Sequence, residues 1–462
     1  MHIPLCVAIA LLATALLPAA QPRSVDLIVY NATVVTMDGG GRVLPRGAVA
    51  ISGRDIVAVD PAEAVASRYT AKDTYDAGGQ VVLPGLINTH THAPMVLYRG
   101  LADDLALMEW LQKYIFPGEA KTVSPEFVRA GTRLAALEMI QSGTTTYTDM
   151  YYFEEEVARA TKAAGLRGVL GQTIIQFPVP DAKTPAEGLT RAEAFLKEFA
   201  DDDLIVPAVA PHSMYTLDRA TLKASRALAD RYKAPVIIHL AETSDELKTS
   251  MQKHQVTPTR YLESIGFWGP RTLAAHGVWL NATDIQILAR RKVGVSHNPE
   301  SNMKLASGTA KVPALRKAGV AVGLGTDGAA SNNDLDMFEA MRQAAFLHKL
   351  VTHDPRAIPA ATALAMATIE GARALGMEAQ IGSLEAGKRA DLIVVSMSGA
   401  RQTPIYDPLS HLVYVSRGSD VVTTIVNGKV LMRDRKLLTL NEDEVIAEAN
   451  AMAVKVRAAV GK

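Results

Sequence analysis

Val236-Ile237-Ile238-His239-Leu240-Ala241-Glu242-Thr243 is eight residues long and β-rich, has no polar alternation, and closes on a histidine and a carboxylate. A run this short and this apolar reads as a strand buried on both faces, which is the environment of a parallel sheet covered by helices. Seven further runs have the same texture, at 86–92, 144–150, 168–176, 205–211, 272–280, 294–299 and 320–327. Between them lie amphipathic helical stretches, including 126–141, 154–164, 191–199, 219–232, 281–291 and 312–318. Strand–helix alternation repeated eight times predicts an α/β fold, a (β/α)₈ TIM barrel. An open doubly wound sheet is the alternative, but no GxGxxG follows the first strand.

Outside this region the periodicity changes. Residues 26–30, 33–37, 48–52, 55–59 and 80–83 read as short strands, and so do 391–396, 421–426 and 429–432, with Asn427-Gly428 as a hairpin turn. The two ends therefore predict one small β domain beside the barrel. Residues 441–460 predict a closing helix. The division expected is a leader at 1–22, β domain at 23–84, barrel at 85–378, β domain again at 379–440, and a C-terminal helix at 441–462.

The chain has 462 residues, 48% of them hydrophobic and 21% charged, enough for a large core. Lys plus Arg equals Asp plus Glu, 48 each, with no basic stripe, which argues against a nucleic-acid partner. Residues 1–22 contain no Lys, Arg, Asp or Glu, residues 3–17 are nearly all apolar, and Pro18-Ala19-Ala20-Gln21 offers a cleavage site. This predicts a secretory signal peptide and an exported or periplasmic protein with no stable membrane anchor after cleavage. Its front end carries only His2, so a misplaced start on a cytoplasmic protein is the competing reading. The single cysteine, Cys6, lies in the leader, so any metal must be held by His, Asp or Glu.

Polar residues at the ends of the apolar runs carry the chemistry. His90 and His92 are two apart at the end of the first run, so both imidazoles share one face. His239 ends the fifth run, His276 the sixth and Asp327 the eighth. Each alone is compatible with a strand cap or a turn. Together they converge on the C-terminal rim, which is the active face of such barrels. Glu242 lies three residues beyond His239, and strict alternation would send it to the opposite face, so the chain must turn there. Three imidazoles and a carboxylate suit one divalent metal, with Zn²⁺ favoured over Fe²⁺ or Mn²⁺. Such a metal lowers the pKa of bound water to about 7. Asp327 can take its proton, His276 can steady the developing oxyanion, and Glu242 can protonate a ring nitrogen and the leaving group.

These segments resemble the amidohydrolase superfamily, in particular the mononuclear 5'-methylthioadenosine/S-adenosylhomocysteine deaminases. The resemblance rests on Gly85-Leu-Ile-Asn-Thr-His-Thr-His-Ala-Pro-Met95, Arg99-Gly-Leu-Ala-Asp-Asp-Leu105, Pro211-His-Ser213, His239-Leu-Ala-Glu-Thr243, Ser296-His-Asn-Pro-Glu-Ser-Asn-Met-Lys-Leu305 and Gly325-Thr-Asp-Gly-Ala-Ala-Ser-Asn-Asn333. It implies a β-sandwich built from both termini. It also implies His90, His92, His239 and Asp327 as ligands of one metal, because no lysine ends the fourth strand. Glu119 would bind the ribose hydroxyls and His212 the sugar or tail, while Glu242 and Asp327 would face the purine. Relatives of this kind often form homo-oligomers. Where some carry an Arg for the homocysteine carboxylate, this chain has Gln172, with Arg167 at the strand start, which predicts weaker selection for a charged tail. Two other readings stay open: a deaminase or chlorohydrolase of a free base or triazine, and a barrel that only binds.

Some residues carry weaker expectations. Ala329 to Asn333 reads as a helix cap, and Trp110 as part of a helix. His297 is placed in the loop after the seventh strand, where it either lines the pocket or orders that loop. His254, His348 and His353 read as surface residues, and His411 has no assigned role.

Overall fold

The computed structural model describes residues 21–461, so Cys6 and all but the last two residues of the leader read at 1–22 lie outside the described residues. Every apolar run forms a strand. They are β1 Leu86–Thr91, β2 Thr144–Tyr151, β3 Arg167–Ile174, β4 Ile205–Pro211, β5 Val236–Leu240, β6 Thr272–His276, β7 Gly294–His297 and β8 Val322–Leu324. They pair in parallel in unbroken sequence order. The two end strands are joined by side chains and loop backbone. Thr89 Oγ1 donates to the Leu324 carbonyl at 2.9 Å, Asn88 Nδ2 donates to Thr326 Oγ1 at 2.7 Å, and Asp327 N donates to the His90 carbonyl at 2.9 Å. This seam is tight at Gly325, where a Cβ would come within 2.8 Å of His90 N. The expected (β/α)₈ barrel is the fold found.

Local signals set the helices around it. Pro125–Ser142 begins with Ser124 accepting the Phe127 N–H at 3.2 Å, has proline in its first turn, and ends on left-handed Gly143. Several strands stop earlier than their apolar runs. β5 ends at Leu240, β6 at His276 and β8 at Leu324, and the chain then turns at Ala241 (φ +48°), His276 (φ +74°) and Asp327 (φ +64°). The apolar composition continues because the mouth loops are buried as well. The helix expected from a cap at 329–333 starts later, at Met337, where Asp336 accepts the Phe338 N–H at 2.9 Å. Among the described residues no helix is long and apolar enough to cross a membrane.

Both ends of the chain build one nine-stranded sheet. The joint is Val81–Pro84 against Leu392–Val395, antiparallel, with Val82 opposite Val394. Val29, Val49, Ile56, Leu392 and Ile425 share its apolar core. Asn427 (φ +52°) and Gly428 (φ +75°) form the expected hairpin turn. The strand Tyr69–Asp76 was not legible because it is mostly exposed and polar. The C-terminal helix Glu442–Val460 lies on the helix Pro125–Ser142, where Arg133 pairs with Glu444 at 3.0 Å and Glu448 at 2.6 Å.

A buried ion pair ties sheet to barrel. Arg167, at the start of β3, meets Asp391 at 3.0 Å, with both side chains 3% exposed. Arg167 also donates to the Asp203 carbonyl at 2.9 Å, and Asp391 accepts the Asn427 N–H at 2.6 Å. Removing one partner strands the other charge in the interior, so Asp391→Ala is expected to cost about 3–5 kcal/mol. Chemical denaturation followed by circular dichroism checks this, and a loss under about 1 kcal/mol would contradict it.

Candidate functional site

At the C-terminal mouth of the barrel, His90 and His92 present their Nε2 atoms to the same oxygen, Asp327 Oδ1, at 3.5 and 3.4 Å. His239 Nε2 stands 3.4 Å from His92 Nε2. The second nitrogens explain why these atoms face one another. His92 Nδ1 donates to the Met150 carbonyl at 2.7 Å, and His239 Nδ1 donates to the His212 carbonyl at 2.9 Å. Both Nε2 atoms are therefore lone-pair acceptors packed against each other, and that of His92 also faces a carboxylate. His90 is fully buried and neither ring nitrogen has a hydrogen-bond partner among the described residues. A cluster of acceptors without donors is stable only around a cation. Ligand atoms about 2.1 Å from one tetrahedral ion stand roughly 3.4 Å apart, as these do. The Nδ1 bonds to carbonyls are the outer contacts that orient metal-bound imidazoles. The residues present fit one divalent metal.

Electrostatics agree with that fit. Burial and the neighbouring imidazoles push His90 and His239 well below the ordinary histidine range, leaving neutral ligands. Burial opposes ionisation of Asp327, but the His90, His276 and His92 rings and the Ser301 hydroxyl outweigh it and hold the carboxyl low. Ser301 Oγ donates to Oδ2 at 2.6 Å, and Gly328 N donates to Oδ1 at 2.7 Å.

His276 also reaches this cluster, with a ring nitrogen within 4.8 Å of those of His90 and His239. Its Nε2 lies 3.9 Å from Glu242 and 4.0 Å from Asp327 Oδ2, and its Nδ1 lies 3.0 Å from Asn302 Oδ1. Burial works against its protonation, yet the Glu242 and Asp327 carboxylates raise its pKa overall. It is thus the imidazole suited to donate. Burial raises Glu242 above the ordinary carboxyl range, as suits a proton carrier. The turn required after His239 occurs at Ala241, whose φ of +48° is left-handed and costs an alanine about 1 kcal/mol.

The site opens into a cavity at the barrel mouth. His92, His239, Glu242, His276, Asp327, Glu119 and His212 all line it, with Trp110, Phe116, Tyr151, Tyr152 and Tyr215. His90 lies beneath it. Glu119 is 5% exposed, accepts the Tyr151 hydroxyl at 2.7 Å, and is pushed up to about 7 by burial. Burial together with His92 and His276 brings His212 down to about 3, so it is neutral, with Nδ1 on Ser213 and Thr216.

Gln172 is not in the cavity. Thr173 lines it, and adjacent strand residues face opposite ways. Gln172 therefore turns outward, donating to Asp181 at 2.8 Å, so it cannot meet a substrate tail there. His348 is not a surface residue either: it is 1% exposed, and its Nε2 lies 3.1 Å from that of His297, which ends β7 and does not line the cavity. His254 is half-buried, stacked on Tyr261, and His353 is exposed as expected. The aromatic wall was missed. Tyr151-Tyr152 at a strand end was its only sequence signal, whereas Tyr215 had none.

Residues 81–431 match the amidohydrolase family. The chain belongs to this family. Over 432 residues it is 50% identical to a 5-methylthioadenosine/S-adenosylhomocysteine deaminase of Syntrophobacter fumaroxidans, covering 94% of this chain and 98% of the relative. It is 45% identical over 437 residues to a 5'-deoxyadenosine deaminase of Methanosarcina mazei, covering 94% and 99%. Among solved structures, an adenosine deaminase from Xanthomonas campestris with bound zinc aligns with a TM-score of 0.93 at 40% identity, covering 95% of this chain and 100% of that one. The amidohydrolase fold thus extends over nearly all of the described chain.

Proposed function

We propose that the protein is a metal-dependent aminohydrolase that deaminates adenine nucleosides to their inosine forms with release of ammonia. In this reading His90, His92, His239 and Asp327 hold one divalent metal, Zn²⁺ by preference. The observation that carries the substrate class is Glu119. It is a buried carboxylate on the cavity wall with no cationic partner among the described residues, and its one hydrogen bond comes from Tyr151. A carboxylate so placed suits the paired hydroxyls of a ribose. The nucleoside deaminases among the relatives support the same reading.

When bound, the metal supplies Lewis-acid activation of the attacking water at neutral pH. Asp327 Oδ2, facing His276, is the oxygen placed to receive the water proton. Glu242 gives its proton to the ring nitrogen, where it stays, and takes one back from the attacking hydroxyl as the carbonyl forms, while the proton collected by Asp327 goes to the departing amine. His276 donates to the oxygen that becomes the product carbonyl. Water is consumed, the C–NH₂ carbon becomes a C=O beside a ring N–H in the product, and ammonia leaves.

Among the described residues no Lys or Arg lines the cavity. We expect neutral 5' substituents, as in 5'-methylthioadenosine, 5'-deoxyadenosine or adenosine, to be preferred over the charged tail of S-adenosylhomocysteine. A panel of these nucleosides with guanine, cytosine and a chlorotriazine, on zinc-loaded protein, tests the reading. Activity confined to a free base or the triazine would overturn it.

Glu119→Gln is expected to lower kcat/KM for nucleosides about 10- to 100-fold, mainly through KM, since hydrogen bonds to a charged group contribute about 1.5–3 kcal/mol. Because free Glu119 is held at about 7 and the hydroxyls bind its ionised form, nucleoside affinity should improve as pH rises through 7. The variant should flatten that profile. An unchanged profile would remove Glu119 from substrate binding.

The leader at 1–22 and its cleavage, with export as the outcome, stay part of this proposal, as do the domain boundaries given above and a homo-oligomeric state. Sequencing the mature N-terminus and measuring the mass in solution would decide the first and the last.

A further inference from the structure

We infer that Glu246 is a positioning residue for Glu242: its carboxylate clamps the corner at 241–242 and so keeps Glu242 facing the same cavity as His239. The inference rests on the proposed role of Glu242. Three observations converge on it.

The corner is one that the sequence does not favour. Ala241 adopts φ +48° in the middle of Leu240-Ala241-Glu242, where glycine would be the natural residue. Something must hold an alanine there, because extended backbone would carry Glu242 to the other face of the barrel wall. The corner is held from both sides. The Trp279 N–H donates to the Ala241 carbonyl at 2.9 Å, and Glu246 Oε2 accepts the Glu242 N–H at 3.1 Å.

The bond made by Glu246 departs from ordinary helix capping. Thr243 caps the helix Ser244–His254 and accepts the Glu246 N–H at 3.2 Å. In the reciprocal box the glutamate at this position would return to the N–H of the cap residue. Here it bonds to Glu242, one residue earlier. The device that usually secures a helix end is spent on the corner.

The arrangement is also unfavourable unless it serves something. Glu246 is 5% exposed, has no ion-pair partner among the described residues, and leaves Oε1 without a hydrogen bond. A helix cap alone does not require a buried carboxylate in that state.

Two conservative variants separate reach from charge. Glu246→Gln keeps the length and an acceptor oxygen but loses the charge, and it should keep kcat within about threefold. Glu246→Asp keeps the charge but loses the reach, and it should lower kcat about 10- to 100-fold with bound metal unchanged. In a Glu242→Gln background, Glu246→Asp should cost less than about threefold more, because the group it positions is already disabled. A crystal structure of Glu246→Asp should show the Glu242–His276 separation lengthened from 3.9 Å. The inference is overturned if Glu246→Gln is the more damaging variant, if Glu246→Asp costs the same factor in both backgrounds, or if Glu242 does not move. A protein inactive on every panel substrate would defeat the aminohydrolase reading, while the crystallographic arm would still decide this one.

Discussion

His239→Ala should come from metal-replete expression with little or no bound metal and with kcat/KM lowered at least about 10³-fold. The expectation follows from the packing of acceptors at the barrel mouth. His239 Nε2 and His92 Nε2 are 3.4 Å apart, each with its Nδ1 already committed to a backbone carbonyl. Removing one imidazole takes away a quarter of the proposed ligand set, and with the metal would go a contribution of several kcal/mol to the barrier, each 1.36 kcal/mol being about tenfold. Elemental analysis beside activity is the check. His276→Ala is the control, because His276 is also buried and near His90 and His239 but lies outside the proposed ligand set. It should keep its metal while losing rate. If His276→Ala lost the metal and His239→Ala kept it, the ligand set would have to be redrawn around His90, His92, His276 and Asp327.

Glu242→Gln should retain the metal and bind nucleoside with little change in KM, but lose about 10²- to 10⁴-fold in kcat, the usual contribution of a positioned acid–base group. The amide keeps the size of the side chain and its capacity to face His276, but it has no proton to give the ring nitrogen. Burial raises the Glu242 carboxyl, so the free protein carries that proton toward neutral pH more readily than an exposed glutamate would. The measurement is steady-state kinetics on whichever nucleoside leads the panel. A variant with kcat within tenfold of the parent would show that another group carries the proton.

Much of this site was readable before any coordinates. His90 and His92 share a strand face by the twofold period of β structure, and His239, His276 and Asp327 each follow an apolar run. Convergence at one rim needs only the barrel and the direction of its strands. Gln172 was misread because a strand end was assigned without its facing: neighbours in a strand alternate, and Thr173 takes the inward direction. His348 was misread because a histidine on a helix looks alike whether it faces water or, as here, the buried His297. The aromatic wall of the cavity comes from two short helices, a strand end and a turn, and aromatic residues on their own carry no label of use.

By itself the sequence determined the class of fold and the kind of chemistry. Eight short apolar runs separated by amphipathic stretches have few other ways to bury themselves, and a set of His and Asp donors without cysteine narrows the metal to a hard or borderline cation. Only the tertiary structure decided which groups face one another. The bonds that orient the imidazoles join residue 92 to 150, 239 to 212 and 276 to 302, partners brought together only by barrel closure. The corner that turns Glu242 inward depends on a left-handed alanine that local propensity disfavours. That torsion is held by Trp279, distant in sequence, and by the nearby Glu246 carboxylate, whose role no hydrophobic period reveals.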